Sequence, residues 1–147
     1  MPTRIFHFGL TVSDLQRSIP FYRDVLGFEV TQTREGKGNS AEKLTGLPGA
    51  HTTSAFLQVG GQTIQLSQYL TPMGQRINPV MNTVGAAHIA LYVDDLEALY
   101  KRFKEKGIQP KCEMLVSGLG LKAGAVLDPD GHTIEIFEAK KEPAKTV

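Results

Sequence analysis

Residues 128–138 read Asp128-Pro-Asp-Gly-His-Thr-Ile-Glu-Ile-Phe-Glu138. Proline presets one backbone dihedral, aspartate side chains bind nearby amides and glycine accepts positive φ, so residues 128–131 predict a tight turn. The β-branched and aromatic side chains of Thr133–Phe137 predict a buried strand. Glu135 points away from the two isoleucines beside it, because side chains alternate along a strand. A carboxylate inside such a strand is costly unless it is paired, hydrogen-bonded or bound to a metal, and we interpret Glu135 as a metal ligand.

Two segments of the chain begin in the same way, which indicates an internal repeat. His7-Phe-Gly-Leu-Thr-Val-Ser-Asp14 corresponds to His88-Ile-Ala-Leu-Tyr-Val-Asp-Asp95, and in both the aspartate follows the histidine by seven residues (14 − 7 and 95 − 88). Each apolar run predicts a strand. The patterns Ser13-x-x-Gln16 and Asp94-x-x-Glu97 predict capping boxes at the start of a helix. A helix is predicted after each of them, and Pro20 is expected to bend the first.

The second half of the unit repeats as well. Ala55–Leu66 corresponds without gaps to Ala125–Ile136, which places Gln65 and Glu135 at equivalent positions. Each copy therefore predicts one strand, one helix and about three further strands, and the fold class is α+β with two tandem βαβββ modules. We predict one domain over residues 1–147, made of modules 4–70 and 86–139 with a linker at 71–85 and a disordered tail at 140–147.

Composition between the repeated elements predicts the remaining features. A strand is expected at residues 28–32, and polar or glycine-rich composition predicts loops at 34–40 and 117–124. His51 and His132 fall in predicted loop or turn positions and are expected to be solvated. Five basic residues also fall in predicted loops, where they meet solvent or an anionic substrate: Arg34, Lys37, Lys43, Arg76 and Lys122.

The repeat suggests that four scattered residues form one site. His7 and His88 open the first strands of their copies, and Gln65 and Glu135 lie in the last. If the copies pack with twofold pseudosymmetry, two imidazoles and two oxygen donors converge. That set suits one divalent ion of Co, Ni, Zn, Mn or Fe. Taken singly, each residue is better explained as a partly buried histidine or a surface polar residue than as a ligand, so the metal interpretation depends on their equivalent positions.

Composition limits the classes of function. A 147-residue chain with 41% hydrophobic and 21% charged residues suits a soluble globular domain with a packed core. The formal net charge of +1 gives no field to attract nucleic acid or an acidic membrane, so we expect neither partner. Cys112 is the only cysteine, which excludes an intrachain disulfide, and no signal-peptide pattern is seen. A cytoplasmic protein is therefore expected.

The repeated His-x6-Asp starts and the Asp-Pro-Asp-Gly-x-x-Ile-Glu hairpin resemble the vicinal oxygen chelate superfamily, over about Arg4 to Glu138. This superfamily includes glyoxalases, methylmalonyl-CoA epimerases, extradiol dioxygenases and bleomycin-type resistance proteins. The resemblance implies that paired βαβββ modules form a U-shaped mixed sheet around a metal, often within a homodimer, with a small molecule as substrate.

The four predicted metal ligands distinguish between the families of the superfamily. His7, Gln65, His88 and Glu135 resemble the metal ligands of methylmalonyl-CoA epimerase and glyoxalase I. The resemblance implies a metal-dependent lyase or isomerase that removes a proton α to a carbonyl through an enolate or enediolate, with Glu135 as ligand and, when displaced by substrate, as base. Epimerases of this type use a second carboxylate, for which Glu42 is the nearest candidate here.

Two alternatives come from the same resemblance. An extradiol dioxygenase would need only His7, His88 and Glu135 as a facial triad. Its signature has a tyrosine where this chain has Ala125, and an acid/base histidine that residues 118–124 do not supply. A resistance protein that sequesters a drug or metabolite would generally lack the four ligands. The residues that bind the substrate, and the substrate itself, are not identified by the sequence.

Overall fold

The computed structural model describes residues 3–140, which divide into two compact units between Ile77 and Asn78. Each unit has its own four-stranded mixed sheet built in the order strand, helix and three strands, with one further short helix in the first unit, which confirms the α+β fold of two βαβββ modules. From residue 141 onward, the tail predicted to be disordered lies outside the described residues. Within the described range, every helix is too short or too polar to span a membrane.

The first unit contains β1 (Phe8–Thr11), α1 (Leu15–Pro20), β2 (Glu29–Lys37), α2 (Asn39–Thr45), β3 (His51–Val59) and β4 (Gln62–Thr71). The strand order is β1-β4-β3-β2, with β1 parallel to β4 and the other pairs antiparallel. The α-helical hydrogen bonding ends at Pro20, as expected from the missing amide proton, and Phe21–Val25 continues it as a π-helical turn. The helix packs on β3 and β4 and buries Leu15 and Tyr22.

The second unit contains β5 (His88–Val93), α3 (Leu96–Glu105), β6 (Leu115–Val116), β7 (Lys122–Leu127) and β8 (Thr133–Glu138). The strand order is β5-β8-β7-β6, and β5 is parallel to β8. The helix packs on β7 and β8. Burying a large apolar side chain stabilises a fold by roughly 1.5–3 kcal/mol. The buried side chains of this core include Leu96, Leu99, Phe103, Val126, Ile134 and Ile136.

Both repeated helices begin at the aspartate that follows the histidine by seven residues. Asp14 accepts a hydrogen bond from the amide of Gln16, and Asp95 accepts one from the amide of Ala98. The predicted capping boxes were thus wrong by one residue, since the N-caps are Asp14 and Asp95. A second contact is also repeated: the amides of Leu15 and Leu96 donate at 3.0 Å to side-chain oxygens of Gln68 and Glu138, which come from the last strand of each copy.

Two predicted loops are partly strand. The first, predicted at 34–40, lies in β2 as far as Lys37, where every residue pairs with β3, and α2 begins at Asn39. The second, predicted at 117–124, becomes β7 from Lys122 onward. β2 is an edge strand whose polar side chains face solvent, and β7 is an inner strand whose backbone is paired with β6 and β8. Backbone pairing in a sheet overrides the low strand preference of polar residues and glycine, which is why composition alone was misleading here.

The equivalent hairpins differ in register by one residue, although their sequences align without gaps. In the first unit Phe56 pairs with Gln65 across β3 and β4, whereas in the second Ala125 pairs with Glu135 across β7 and β8. The cause is the turn. The first hairpin closes with Gly60 and Gly61, both at positive φ, while the second uses the five-residue loop 128–132.

Candidate functional site

The two sheets each have one face toward the repeated helix, α1 or α3, and one opposite face, here called the distal face. Buried Ile64 and Leu66 flank Gln65 in β4, and buried Ile134 and Ile136 flank Glu135 in β8. Side chains alternate along a strand, so Gln65 and Glu135 point to the distal face. This agrees with the orientation predicted for Glu135 from the sequence.

The sheet register places a histidine beside each of these residues. Gln65 pairs with Gly9 of β1, and Glu135 pairs with Ala90 of β5. In both copies the histidine stands two residues before that partner, and residues two apart share a strand face. His88 is the first residue of β5, while His7 lies one residue before β1 rather than in it.

The second unit brings its two predicted ligands together. Nε2 of His88 lies 3.6 Å from Oε2 of Glu135, and the two side chains are 49% and 32% exposed. That separation is too long for a hydrogen bond. It is close to the spacing of two ligands on one divalent ion, about 3.0–3.4 Å for bonds of about 2.1 Å at angles between those of an octahedron and a tetrahedron. Partial exposure also leaves room for an additional ligand.

The first unit holds its predicted ligands on the distal face. The His7 ring packs edge-on against the rings of Phe6 and Phe56, at centroid distances of 4.9 and 5.5 Å. Its Nδ1 atom is buried and has no hydrogen-bond partner within residues 3–140. Gln65 Oε1 lies 3.8 Å from where a Cβ at Gly9 would stand, so the glycine leaves that space to the glutamine. A buried imidazole nitrogen without a partner costs roughly 1–3 kcal/mol, which binding to a ligand would recover.

The four residues therefore form two pairs, one in each unit. His7 and Gln65 belong to the first, and His88 and Glu135 to the second. Within the described part of either unit, no three His, Cys, Asp or Glu side chains cluster closely enough to hold a metal. Two imidazoles, one amide oxygen and one carboxylate fit a divalent ion of intermediate hardness. The complete four-ligand site remains a prediction.

Three other titratable residues considered from the sequence have structural partners. The Glu42 carboxylate accepts a hydrogen bond from the amide of Gly49 at 3.1 Å. His51 was expected to be solvated, yet it begins β3 and its Nε2 lies 2.6 Å from Glu35. The same expectation was wrong for His132, whose side chain is only 15% exposed and contacts the Asp128 carboxylate through Nδ1 at 3.1 Å. The Asp128 hydrogen bond raises the pKa of His132.

The structure places two basic side chains on the distal faces: Arg34, which the sequence already offered as a contact for solvent or an anionic substrate, and Lys111, which it did not single out. In the first unit, the Arg34 guanidinium lies 5.8 Å from the centre of the Phe56 ring. In the second, Nζ of Lys111 lies 3.0 Å from Oγ1 of Thr133. Side chains alternate along β2, and this alternation would have predicted that Arg34 lies on the distal face. The sequence analysis placed Arg34 in a loop, so the alternation was not applied to it. Lys111 lies outside every named helix and strand, so no periodic sequence pattern predicted its position.

Comparison with known proteins gives a match over residues 4–136 to the model of the Glyoxalase/Bleomycin resistance protein/Dioxygenase superfamily. Lactoylglutathione lyase of Salmonella typhimurium is 34% identical over 139 residues, which cover 93% of this chain and 93% of that protein. Lactoylglutathione lyase of Escherichia coli O157:H7 is 31% identical, again with 93% of each chain covered. Among solved structures, a glyoxalase family protein of Bacillus cereus superposes with a TM-score of 0.83 over 94% of this chain and 95% of that one, at 20% identity, which shows a common fold.

Proposed function

Because the chain belongs to the glyoxalase/bleomycin resistance protein/dioxygenase superfamily, we propose that it is a metal-dependent lyase of the lactoylglutathione lyase type. The observation that carries this proposal is the pair His88 and Glu135, 3.6 Å apart on the distal face of the second sheet. The equivalent pair His7 and Gln65 supports it from the first unit. Relatives named lactoylglutathione lyase match nearly the whole chain. The two pairs of predicted ligands and the names of the relatives therefore both support a metal-dependent lyase.

The proposed reaction is a proton transfer between adjacent carbons. The substrate is the hemithioacetal that forms from a 2-oxoaldehyde and glutathione. Glu135 removes the proton from the carbon that bears sulfur and hydroxyl and delivers it to the neighbouring carbonyl carbon. The hydroxyl proton passes to the former carbonyl oxygen, so a 2-hydroxy thioester forms with no atom gained or lost. A divalent ion held by His7, Gln65, His88 and Glu135 would supply positive charge that stabilises the oxyanion of the enediolate.

The lyase alternative fits the chain better than the epimerase alternative. Epimerisation requires proton transfer at both faces of one carbon, and therefore two groups. The second candidate carboxylate, Glu42, lies in α2 and is engaged by the Gly49 amide. A proton moved between neighbouring carbons needs only one carboxylate, which Glu135 provides. The relatives named above also carry the lyase name.

The test is turnover of the hemithioacetal of methylglyoxal and glutathione by protein that has been stripped of metal and reloaded with one of the five ions. We expect thioester formation that depends on reloading, and about one tightly bound ion per chain. The reaction run in D₂O reports whether the transferred proton exchanges with solvent. Absence of thioester under every metal would overturn the proposal, as would oxygen uptake on catechols in its place.

Two further expectations accompany the function. A homodimer is predicted from the resemblance, and sedimentation equilibrium of the purified protein tests it. A cytoplasmic location is predicted from the single cysteine, Cys112, and is tested by fractionation of cells that express the full-length protein. Neither expectation is required for the chemistry assigned to Glu135.

A further inference from the structure

The segment between α3 and β6 leaves the edge of the second sheet for three residues. It follows β7 as far as Lys111, whose amide donates to the carbonyl of Ala125 at 2.7 Å. Regular pairing resumes at Leu115, which lies opposite Ala123. Residues 112–114 therefore lie opposite a single residue of β7 and form a bulge, here called the 112–114 bulge. Bulges interrupt strand pairing and redirect side chains, and they are common beside functional sites.

Tyr100 of α3 fills the gap that the bulge leaves at the sheet edge. Its hydroxyl donates to the carbonyl of Cys112 at 3.1 Å and accepts from the amide of Ala125 at 3.2 Å. These contacts replace backbone hydrogen bonds that a regular strand would supply, because backbone polar groups in a folded chain need partners. The ring also packs against Phe103 at a centroid distance of 5.5 Å. The Tyr100 ring is thus held in place on the helix side of the sheet.

A cavity of about 600 Å³ opens between α3 and the 112–114 bulge. Its lining residues are Tyr100, Gln109, Pro110, Cys112, Glu113 and Met114. Cavities of roughly 300–1,000 Å³ suit small organic ligands. The tyrosine ring, the proline ring, the thiol and the thioether make most of the lining apolar and polarizable, which favours an apolar ligand body.

The cavity also carries one carboxylate without a partner. Glu113 is an exposed residue that forms neither a hydrogen bond nor an ion pair within residues 3–140. The nearby Lys111 does not neutralise it, because its Nζ donates to Oγ1 of Thr133 at 3.0 Å on the distal face. A carboxylate next to an aromatic ring attracts an ammonium group through a charge-assisted hydrogen bond and a cation–π contact.

We propose that this cavity binds a small organic cation, an ammonium group on a short apolar body. The ammonium pairs with Glu113, and the body lies against the Tyr100 ring and Met114. The site is separate from the predicted metal ligands, since its residues come from the helix side of the sheet and His88 and Glu135 point to the distal face. The proposal therefore does not depend on the lyase function.

The binding test compares phenethylamine, which is protonated at neutral pH, with its neutral isostere 2-phenylethanol. Protein labelled with ¹³C at the methionine methyl groups gives one NMR signal for each of its four methionines. We expect phenethylamine to shift the Met114 signal to saturation and to leave unmoved the signal of Met73, which is 83% exposed. The alcohol should bind about tenfold more weakly, because a hydrogen bond between charged groups is lost. Equal affinities would overturn the assignment of a cation, and no saturable shift would overturn the site.

Two variants test the carboxylate. Glu113→Gln should weaken phenethylamine binding about tenfold, because the amide keeps the shape of the side chain and loses its charge. Glu105→Gln, at the exposed end of α3, is the matched control and should bind as wild type does. Equal affinity of Glu113→Gln and wild type would overturn the proposal.

The only cysteine of the chain gives a second measurement at the same place. Phenethylamine should slow the reaction of Cys112 with iodoacetamide, with the same midpoint as the Met114 shift. The midpoint should also be the same in metal-stripped and Zn²⁺-loaded protein. An unprotected Cys112, or a midpoint that moves with metal loading, would place the probe elsewhere and overturn the proposal. Saturation at both residues without hemithioacetal turnover would contradict the lyase function and support this inference.

Discussion

Nε2 of His88 and Oε2 of Glu135 lie 3.6 Å apart, although the residues are separated by 47 positions in the sequence (135 − 88). The parallel pairing of β5 with β8 brings them together, because Ala90 opposes Glu135 and His88 stands two residues earlier on the same face. The first copy repeats this relationship through Gly9 and Gln65. The register of the outermost strand of each sheet therefore determines that each unit presents one histidine and one oxygen donor.

The first prediction concerns the carboxylate. Glu135→Gln should lower kcat for hemithioacetal conversion by about a hundredfold to ten-thousandfold, the range attributed to a positioned general base. The side chain is one-third exposed and keeps its shape as an amide, so the midpoint of thermal unfolding should change little. Steady-state kinetics and circular dichroism on the same preparation measure both quantities.

The matched control for that variant is Glu105→Gln, at the exposed end of α3. This control should retain wild-type kcat and KM. If Glu135→Gln also remained fully active, Glu135 would not be the base. If Glu135→Gln unfolded at a much lower temperature than Glu105→Gln, its loss of activity would be explained by lower stability and not by the loss of a catalytic base.

The second prediction concerns the histidines. His7→Ala and His88→Ala should each weaken binding of the divalent ion by more than the roughly 10–100-fold that loss of an outer hydrogen-bond partner costs. His51→Ala is the control, because His51 contacts Glu35 and not a predicted ligand. Equilibrium dialysis with metal analysis measures the affinity. A variant of His7 that binds metal as tightly as wild type would show that the first unit does not contribute a ligand.

Much of the fold follows from the sequence because the strand period and the repeat give the same answer. The orientation of Glu135 was predictable from its two isoleucine neighbours, and the equivalence of Gln65 followed from the alignment. The predicted N-caps, Ser13 and Asp94, each lie one residue before the observed N-caps, Asp14 and Asp95. Both residues of each neighbouring pair are of a type that favours the N-cap position. A sequence with adjacent N-cap residues does not specify which of them accepts the first amide.

The sequence predicted the four candidate ligands from their equivalent positions in the repeat, but it did not predict the residues that surround them. What stands beside each ligand depends on hairpin register, and the two-residue turn of Gly60 and Gly61 shifts that register relative to the five-residue loop at 128–132. As a result Phe56 faces Gln65, while Ala125 faces Glu135. Lys111 could not be found from a periodic pattern, because a single bridge outside the named strands positions it.

The third prediction concerns packing between α3 and β7. A Cβ at Gly124 would lie 2.6 Å from Cζ of Tyr100, and the Tyr100 hydroxyl donates to the carbonyl of Cys112 and accepts from the amide of Ala125. Gly124→Ala should reduce the free energy of unfolding by about 1–3 kcal/mol through overpacking. Tyr100→Phe should reduce it by a similar amount, because a partly buried amide loses its acceptor.

Urea unfolding measures these free energies, and Tyr92→Phe is the control because that ring is 69% exposed. The control should stay within about 0.5 kcal/mol of wild type. A Gly124→Ala protein as stable as wild type would mean that the Tyr100 ring moves aside without cost. In that case the glycine would not be required by the close approach of the helix.

The fourth prediction concerns the loop that closes the second hairpin. Asp128 accepts hydrogen bonds from the amides of Asp130 and His132 and lies 3.1 Å from Nδ1 of His132. The hydrogen bond to Asp128 raises the folded-state pKa of His132 above its ordinary 6.5, burial opposes this, and the charges of Asp128 and Asp130 add to the increase. A raised folded pKa means that the folded state binds the proton more tightly than the unfolded state. The stability from this pair is therefore fully present below the unfolded pKa and is lost as pH rises through the folded pKa.

The measurement is the free energy of unfolding in urea for wild type and His132→Gln, at several values between about pH 5.5 and about pH 8.5. We expect wild type to be more stable than the variant at the acidic end, and the difference to shrink as pH rises above 6.5. Asp128→Asn should abolish most of this pH dependence because the carboxylate charge is gone, and combining it with His132→Gln should add little further change. A stability difference that grew toward alkaline pH would show that the neutral form of His132, not its cation, binds Asp128 in the folded protein.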